Sequence, residues 1–198
     1  MKLLGSSRSP YVQKVRIALA EKGIAYDFSE SSPASDEVTT ANPLAKIPTL
    51  VRDNGEGLYD SCVIIEYLDG FKGNPSLIPT DFEPRIEARR WEALGNGIMD
   101  ATVAISHELR LPESQQKGPD FFSKQKRKID SALDIMNTDL GTNEFCVGSK
   151  FTLADIACVA ALIYLDRAMP EYDWRSMAKN LARHLEKIST RPSLNGLL

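Results

Sequence analysis

Two hydrophobic rhythms divide the chain. Over roughly the first eighty residues, short apolar runs alternate with helical stripes. Residues 2–6 form a brief apolar-led strand. Pro10 then opens a helix whose apolar positions Val12, Val15, Ala18 and Leu19 share one face. Gly23 follows where a left-handed C-terminal cap is wanted. Residues 25–30 alternate Tyr26 and Phe28 with polar neighbours, which predicts a second strand, and residues 49–53 predict a third. The Asn54-Gly55 dipeptide turns that strand into a fourth around residues 57–59, and Asp60-Ser61 precedes an apolar helix over 63–68. Strands alternating with helices in this order predict a small mixed sheet with helices on its faces, an α/β domain over residues 1–78.

Beyond Pro75 and Pro79 the rhythm becomes purely helical, and no strand is expected from Arg85 onward. Trp91, Leu94, Ile98, Ala101, Ile105 and Leu109 mark one stripe of a long helix. Phe122, Ile129, Leu133, Met136 and Leu140 mark a second, separated from the first by Pro112 and the Lys117-Gly118-Pro119 turn. Thr152 and Asp155 have the spacing of a capping box, with Phe151 positioned to staple onto Ile156. The helix over 156–165 is apolar almost all round and belongs at the centre of a bundle, and a last helix is expected over 177–189. The second predicted domain, residues 85–198, is all-α, joined to the first near 76–84.

Composition narrows the chemistry. The 198 residues carry 24 Lys and Arg against 27 Asp and Glu, so nothing favours a nucleic acid or an acidic membrane surface as partner. The longest apolar run, 153–165, contains Asp155 and falls short of the roughly 18 residues of a spanning helix. The N-terminus turns polar at once, unlike a signal peptide, so a soluble, cytoplasmic protein is expected. Cys62, Cys146 and Cys158 are scattered, odd in number and form no Cys-x-x-Cys pair, which suits a reducing compartment. The only histidines, His107 and His184, sit in separate helical stretches with structural or surface roles expected. Without clustered Cys/His ligands in the sequence, no metal is expected.

Three segments of the first domain carry candidate chemistry. Ser9-Pro10-Tyr11-Val12 is at the start of the first helix. Its plain reading is an N-cap followed by the favoured first helical residue. Its functional reading is a hydroxyl at a positive dipole end, which stabilises an anion such as a thiolate. The second segment, residues 42–50, carries Pro48 at the start of a strand; a cis Ile47-Pro48 bond would turn the Ile47 amide and carbonyl toward an extended peptide-like ligand. The third, Asp60-Ser61, offers a carboxylate for an ammonium group, and a hydroxyl with backbone N–H groups for a carboxylate.

Taken in order, these motifs make the chain resemble the glutathione S-transferases over essentially its whole length. Ser9-Pro10-Tyr11-Val12 is similar to the active-site helix start of the serine-type classes (zeta, phi, tau and theta). Asn42-Pro43, Lys46, Ile47 and Pro48 resemble the family's cis-proline loop, Asp60-Ser61 its acid-serine pair, and Thr152 with Asp155 the capping box of its second domain. The resemblance implies a thioredoxin-like N-terminal domain that binds glutathione, and an all-helical bundle that contributes the electrophile pocket. It further implies that Ser9 holds the glutathione sulfur as thiolate and that the Ile47 backbone pairs with the cysteinyl unit beside Pro48. Ser61 would then take the γ-glutamyl carboxylate and Asp60 its ammonium. Lys46 would reach the glycyl carboxylate, although a solvated lysine is an equally plain reading, and Ser7 is the rival to Ser9.

The expected function is therefore conjugation of glutathione, as co-substrate, to a small hydrophobic electrophile, with peroxidase or isomerase side activity. A detoxifying homodimer is implied with it. The alternative is a non-catalytic binding or dimerisation scaffold of the same fold. Dithiol exchange is disfavoured because both cysteines of a Cys-Pro-Tyr-Cys helix start are replaced, by Ser9 and Val12. Cys62 is read as a buried helix residue. A serine hydrolase lacks its Gly-x-Ser-x-Gly elbow, and Gly95-Asn96-Gly97 lies in a helical pattern rather than in a dinucleotide-binding turn.

Overall fold

Leu3 and Leu4 have no exposed surface, and around them the first unit is built. The computed structural model describes residues 1–71 and 75–196; residues 72–74 and 197–198, the last pair ending the second predicted domain, lie outside the described residues. The chain divides into two units. Among the described residues, one is Met1–Ile78 with residues 191–196, and the other is Pro79–Thr190.

In the first unit, β1 (Lys2–Gly5), α1 (Pro10–Glu21) and β2 (Asp27–Glu30) are followed by α2 (Asp36–Ala41), β3 (Thr49–Val51), β4 (Gly57–Leu58) and α3 (Ser61–Asp69). The sheet order is β2-β1-β3-β4, with β1 and β2 parallel and the other pairs antiparallel. Gly23 ends α1 as expected, with a φ of 61°. Its N–H donates to the Ala20 carbonyl, and the Ile24 N–H reaches back to Leu19, each at 3.0 Å. That cap occupies Ile24 and delays β2 to Asp27, two residues later than the alternation predicted.

Buried Lys22 locks the far end of this unit. Its Nζ donates to the Asp69 and Pro75 carbonyls, each at 3.1 Å, and to the Asp69 carboxylate at 3.3 Å. The sequence predicts one helical domain over 85–198, whereas residues 191–196 belong with the first unit. The cause is Glu21 on α1, which accepts a two-pronged pair of hydrogen bonds from Arg191 at 2.8 and 2.7 Å and a third from the Ser193 hydroxyl.

The second unit comprises α4 (Phe82–Glu108), α5 (Pro119–Leu140), α6 (Leu153–Ala168), α7 (Trp174–Met177) and α8 (Lys179–Ile188). Every residue of α6 from Leu153 to Leu165 is buried, as its all-round apolar pattern predicts. Against it lies Gly95 of α4, where a Cβ would stand 2.7 Å from the Ala157 carbonyl oxygen. Two expectations change. Leu109 follows the last turn of α4 as its C-cap and is 56% exposed, so it leaves the buried stripe. The predicted helix over 177–189 is broken at Ala178 (φ −125°, ψ 64°), and the first piece starts earlier because Asp173 caps it by accepting from the Ser176 N–H at 3.2 Å. No helix is long and apolar enough to cross a membrane among the described residues.

Candidate active site at one end of the sheet

Strand register collects the three motifs. Leu4 of β1 faces Thr49 of β3, and Leu50 faces Leu58 of β4. The loop into α1 leaves the C-terminal end of β1, Pro48 enters β3 at that same end, and β4 runs out there into Asp60 and Ser61. Ser9, Pro48 and Ser61, spread over 52 positions of sequence (61 − 9), thus gather at one end of the four-stranded sheet.

Ser9 is the N-cap of α1, in extended conformation, followed by Pro10 at the first helical position. Its Oγ accepts a long hydrogen bond, 3.5 Å, from the Val12 N–H. A hydroxyl that caps as an acceptor keeps its own proton available to a ligand. Two further side chains hold this loop. Glu30, at the end of β2, accepts the Ser7 N–H on both carboxylate oxygens, at 3.0 and 3.1 Å. That backbone amide, more than any charge, keeps the Glu30 carboxyl below its ordinary range. Gln13 donates from Nε2 to the Ser7 carbonyl at 3.2 Å. Ser7 is therefore engaged through its backbone at both ends.

The Ile47-Pro48 bond is cis. Among the described residues, no hydrogen bond engages the Ile47 N–H or carbonyl. The loop around it is organised by buried Asn42, whose Oδ1 accepts the Leu44 N–H at 2.9 Å. Its Nδ2 donates to the Lys46 carbonyl at 2.9 Å and to Thr49 Oγ1 at 3.1 Å. Thr49 Oγ1 donates in turn to the same Lys46 carbonyl, at 2.9 Å. Lys46 itself is exposed, its backbone held and its side chain in solvent.

Asp60 caps α3 by accepting the Cys62 N–H at 2.8 Å and also accepts weakly, at 3.4 Å, from the Ser61 hydroxyl. Ser61 is buried while Asp60 is exposed. Cys62 is half-buried rather than buried, with the Nζ of fully buried Lys14 at 3.5 Å from its sulfur.

Glu30, Asn42 and Lys14 act in this region without having been singled out for a role. Asn before Pro is a turn signal in itself, but the register that puts Glu30 beside Ser7 is a tertiary matter.

The expectation of scattered thiols and imidazoles also fails in space. Cys146, Cys158 and His184 are all buried in the second unit, and their ligating atoms lie within 4.8 Å of one another. They come from a loop and two helices 38 residues apart at the extremes, a separation that conceals their meeting.

Comparison with known proteins follows the same division of the chain. Residues 3–76 match the glutathione S-transferase N-terminal domain, and residues 88–187 match the glutathione S-transferase C-terminal domain. A GST-like protein of Escherichia coli K12, YibF, is 36% identical over 197 residues, covering 98% of this chain and 96% of that one. A glutathione S-transferase of Methylobacillus flagellatus, solved with glutathione bound, is 43% identical with a TM-score of 0.94, covering 99% and 98% of the two chains. One from Methylobacterium radiotolerans, solved with glutathione sulfonate, is 37% identical with a TM-score of 0.92, covering 98% and 92%. Both halves of the chain and their order therefore identify it as a member of the glutathione S-transferase family.

Proposed function

We propose that this protein binds glutathione as an extended tripeptide along the sheet end and activates its thiol as a thiolate through Ser9. The observation that carries this is the Ser9 cap: Oγ accepts from Val12 and leaves the hydroxyl proton to donate, at the positive end of α1. The unpaired Ile47 N–H and carbonyl support an antiparallel, strand-like pairing with the cysteinyl unit, beside Pro48. Asp60 and Ser61, at the N-terminus of α3, suit the ammonium and carboxylate of the γ-glutamyl end. Exposed Lys46 has the reach and freedom to meet the glycyl carboxylate. Glutathione bound in one relative of similar length and fold, and glutathione sulfonate in another, support the same reading.

One hydrogen bond from Ser9 with the helix dipole contributes about 1–3 kcal/mol to the thiolate, which lowers the thiol pKa by about one or two units. The sulfur then attacks a small hydrophobic electrophile, in a cytoplasmic homodimer. The test is an ultraviolet pH titration of the thiolate band of bound glutathione. The native protein should ionise the thiol well below its free value. Ser9→Ala should lose that shift and slow conjugation about ten- to a hundredfold, with glutathione affinity spared. Unchanged turnover in Ser9→Ala would remove Ser9 from the mechanism, and glutathione that fails to bind would favour a non-catalytic scaffold.

A further inference from the structure

The second unit contains a buried cluster for which glutathione chemistry has no use. Asp155 and Cys158 lie one turn apart on α6, Cys146 lies in the loop before it, and His184 projects from α8. Cys158 and Asp155 have no exposed surface, and His184 has 2%. His184 Nδ1 lies 3.2 Å from the Glu144 carbonyl, an acceptor that fixes the Nδ1–H form of the ring. Nε2 is then turned inward, 3.7 Å from Cys146 Sγ and 3.2 Å from Asp155 Oδ1. The Nε2 lone pair and the Asp155 oxygen repel each other at that distance unless a proton or a metal ion lies between them.

We propose that Cys146, Cys158 and His184 form a buried site for one thiophilic cation of the Zn2+ type, with the Asp155 carboxylate alongside. Two sulfurs and an imidazole nitrogen are a borderline-soft donor set that selects such an ion over Mg2+ or Ca2+. With Zn–S near 2.3 Å and Zn–N near 2.0–2.1 Å, a tetrahedral site separates sulfur from nitrogen by about 3.6 Å. The observed 3.7 Å between Cys146 and His184 already matches that separation. The Glu144 carbonyl is the outer partner that such a histidine needs to present Nε2. Binding displaces one proton from each thiol and the proton between Nε2 and Asp155, all of which pass to solvent. Entry is through the loop over Cys146, whose residues 142–144 and 148–150 are exposed.

The test uses the full chain, reduced with a phosphine, stripped of metal and free of glutathione, and titrated with Co2+. One equivalent should bind, with a thiolate-to-cobalt charge-transfer band in the near ultraviolet and tetrahedral bands in the visible. Zn2+ should bleach both and raise the Tm. Cys158→Ala and His184→Gln, checked for fold by circular dichroism, should each lose the charge-transfer band or weaken binding at least tenfold. Cys62→Ser should leave both band and stoichiometry intact. A native protein without the band, a band that forms with undiminished affinity in Cys158→Ala or His184→Gln, or one that vanishes in Cys62→Ser, would overturn the proposal. None of these readouts depends on glutathione binding or turnover.

Discussion

Gly95 and Gly97 stand two residues apart on α4, and the same substitution should act on them with opposite sign. Changing a mid-helix glycine to alanine stabilises a helix by about 0.8–1 kcal/mol, because the unfolded chain has less backbone freedom to lose. At Gly97 a new Cβ meets nothing within 4 Å, so Gly97→Ala should realise most of that gain. At Gly95 the Cβ would lie 2.7 Å from the Ala157 oxygen and 2.9 Å from its carbon. Carbon contacts are comfortable at about 3.5–4.0 Å, and these atoms are helix backbone, so α4 must back away from α6. Overpacking of this kind costs about 1–3 kcal/mol. The propensity gain offsets part of it, leaving Gly95→Ala destabilised by up to about 2 kcal/mol. The propensity gain is common to both, so the two variants should differ by the overpacking cost, about 1–3 kcal/mol.

Urea unfolding followed by tryptophan fluorescence is the assay, because Trp91 and Trp174 both belong to the second unit and both are fully buried. On heating, the same difference should separate the midpoints by about 2–12 °C for a chain of this size. Gly95→Ala equal to or more stable than the native protein would refute the reasoning, as would a Gly97→Ala that destabilises.

Other substitutions probe other joints. Asp155→Ala strips buried acceptors from the Thr152 and Cys146 N–H groups, each at 2.9 Å, and should cost about 3–5 kcal/mol in urea melts of the metal-free protein, against about 1 kcal/mol for Thr152→Ala. Equal losses would show that the carboxylate does no more than an ordinary cap. Asn42→Ala removes the partner of the Leu44 N–H and one partner of the Lys46 carbonyl, and should cost about 2–3 kcal/mol. Calorimetry should then show weaker glutathione binding; unchanged affinity would mean that the Ile47 loop keeps its form without Asn42. The Ser7 amide lowers the Glu30 carboxyl from its ordinary 4.5, so the hold on the serine loop is complete above about that pH and is lost as pH falls through the lower, folded value. The Ser7 amide proton shift, followed by NMR, should titrate with a midpoint below 4.5 in the native protein and not at all in Glu30→Gln; a midpoint at or above 4.5 contradicts this.

Local chemistry wrote much of the fold into the sequence. Pro10 after Ser9, Gly23 after α1, Asn54-Gly55 between β3 and β4, and Thr152 with Asp155 before α6 act over a few residues, and each appears in the structure where its spacing predicts. The apolar surround of α6 likewise sufficed to place it at the centre of its unit, since a helix without a polar face has no other stable position. Three features needed the tertiary structure. The return of Arg191 to Glu21 joins residues 170 positions apart, and nothing in either local pattern announces the pairing. Leu109 carries the apolar stripe by its spacing, but the helix ends beneath it and leaves it exposed. The meeting of Cys146, Cys158 and His184 depends on how a loop, α6 and α8 pack, and no sequence spacing encodes the 4.8 Å that encloses their ligating atoms. Capping and periodicity are set by neighbours along the chain, and long-range clasps and clusters by the packing of elements that those local rules leave free to meet.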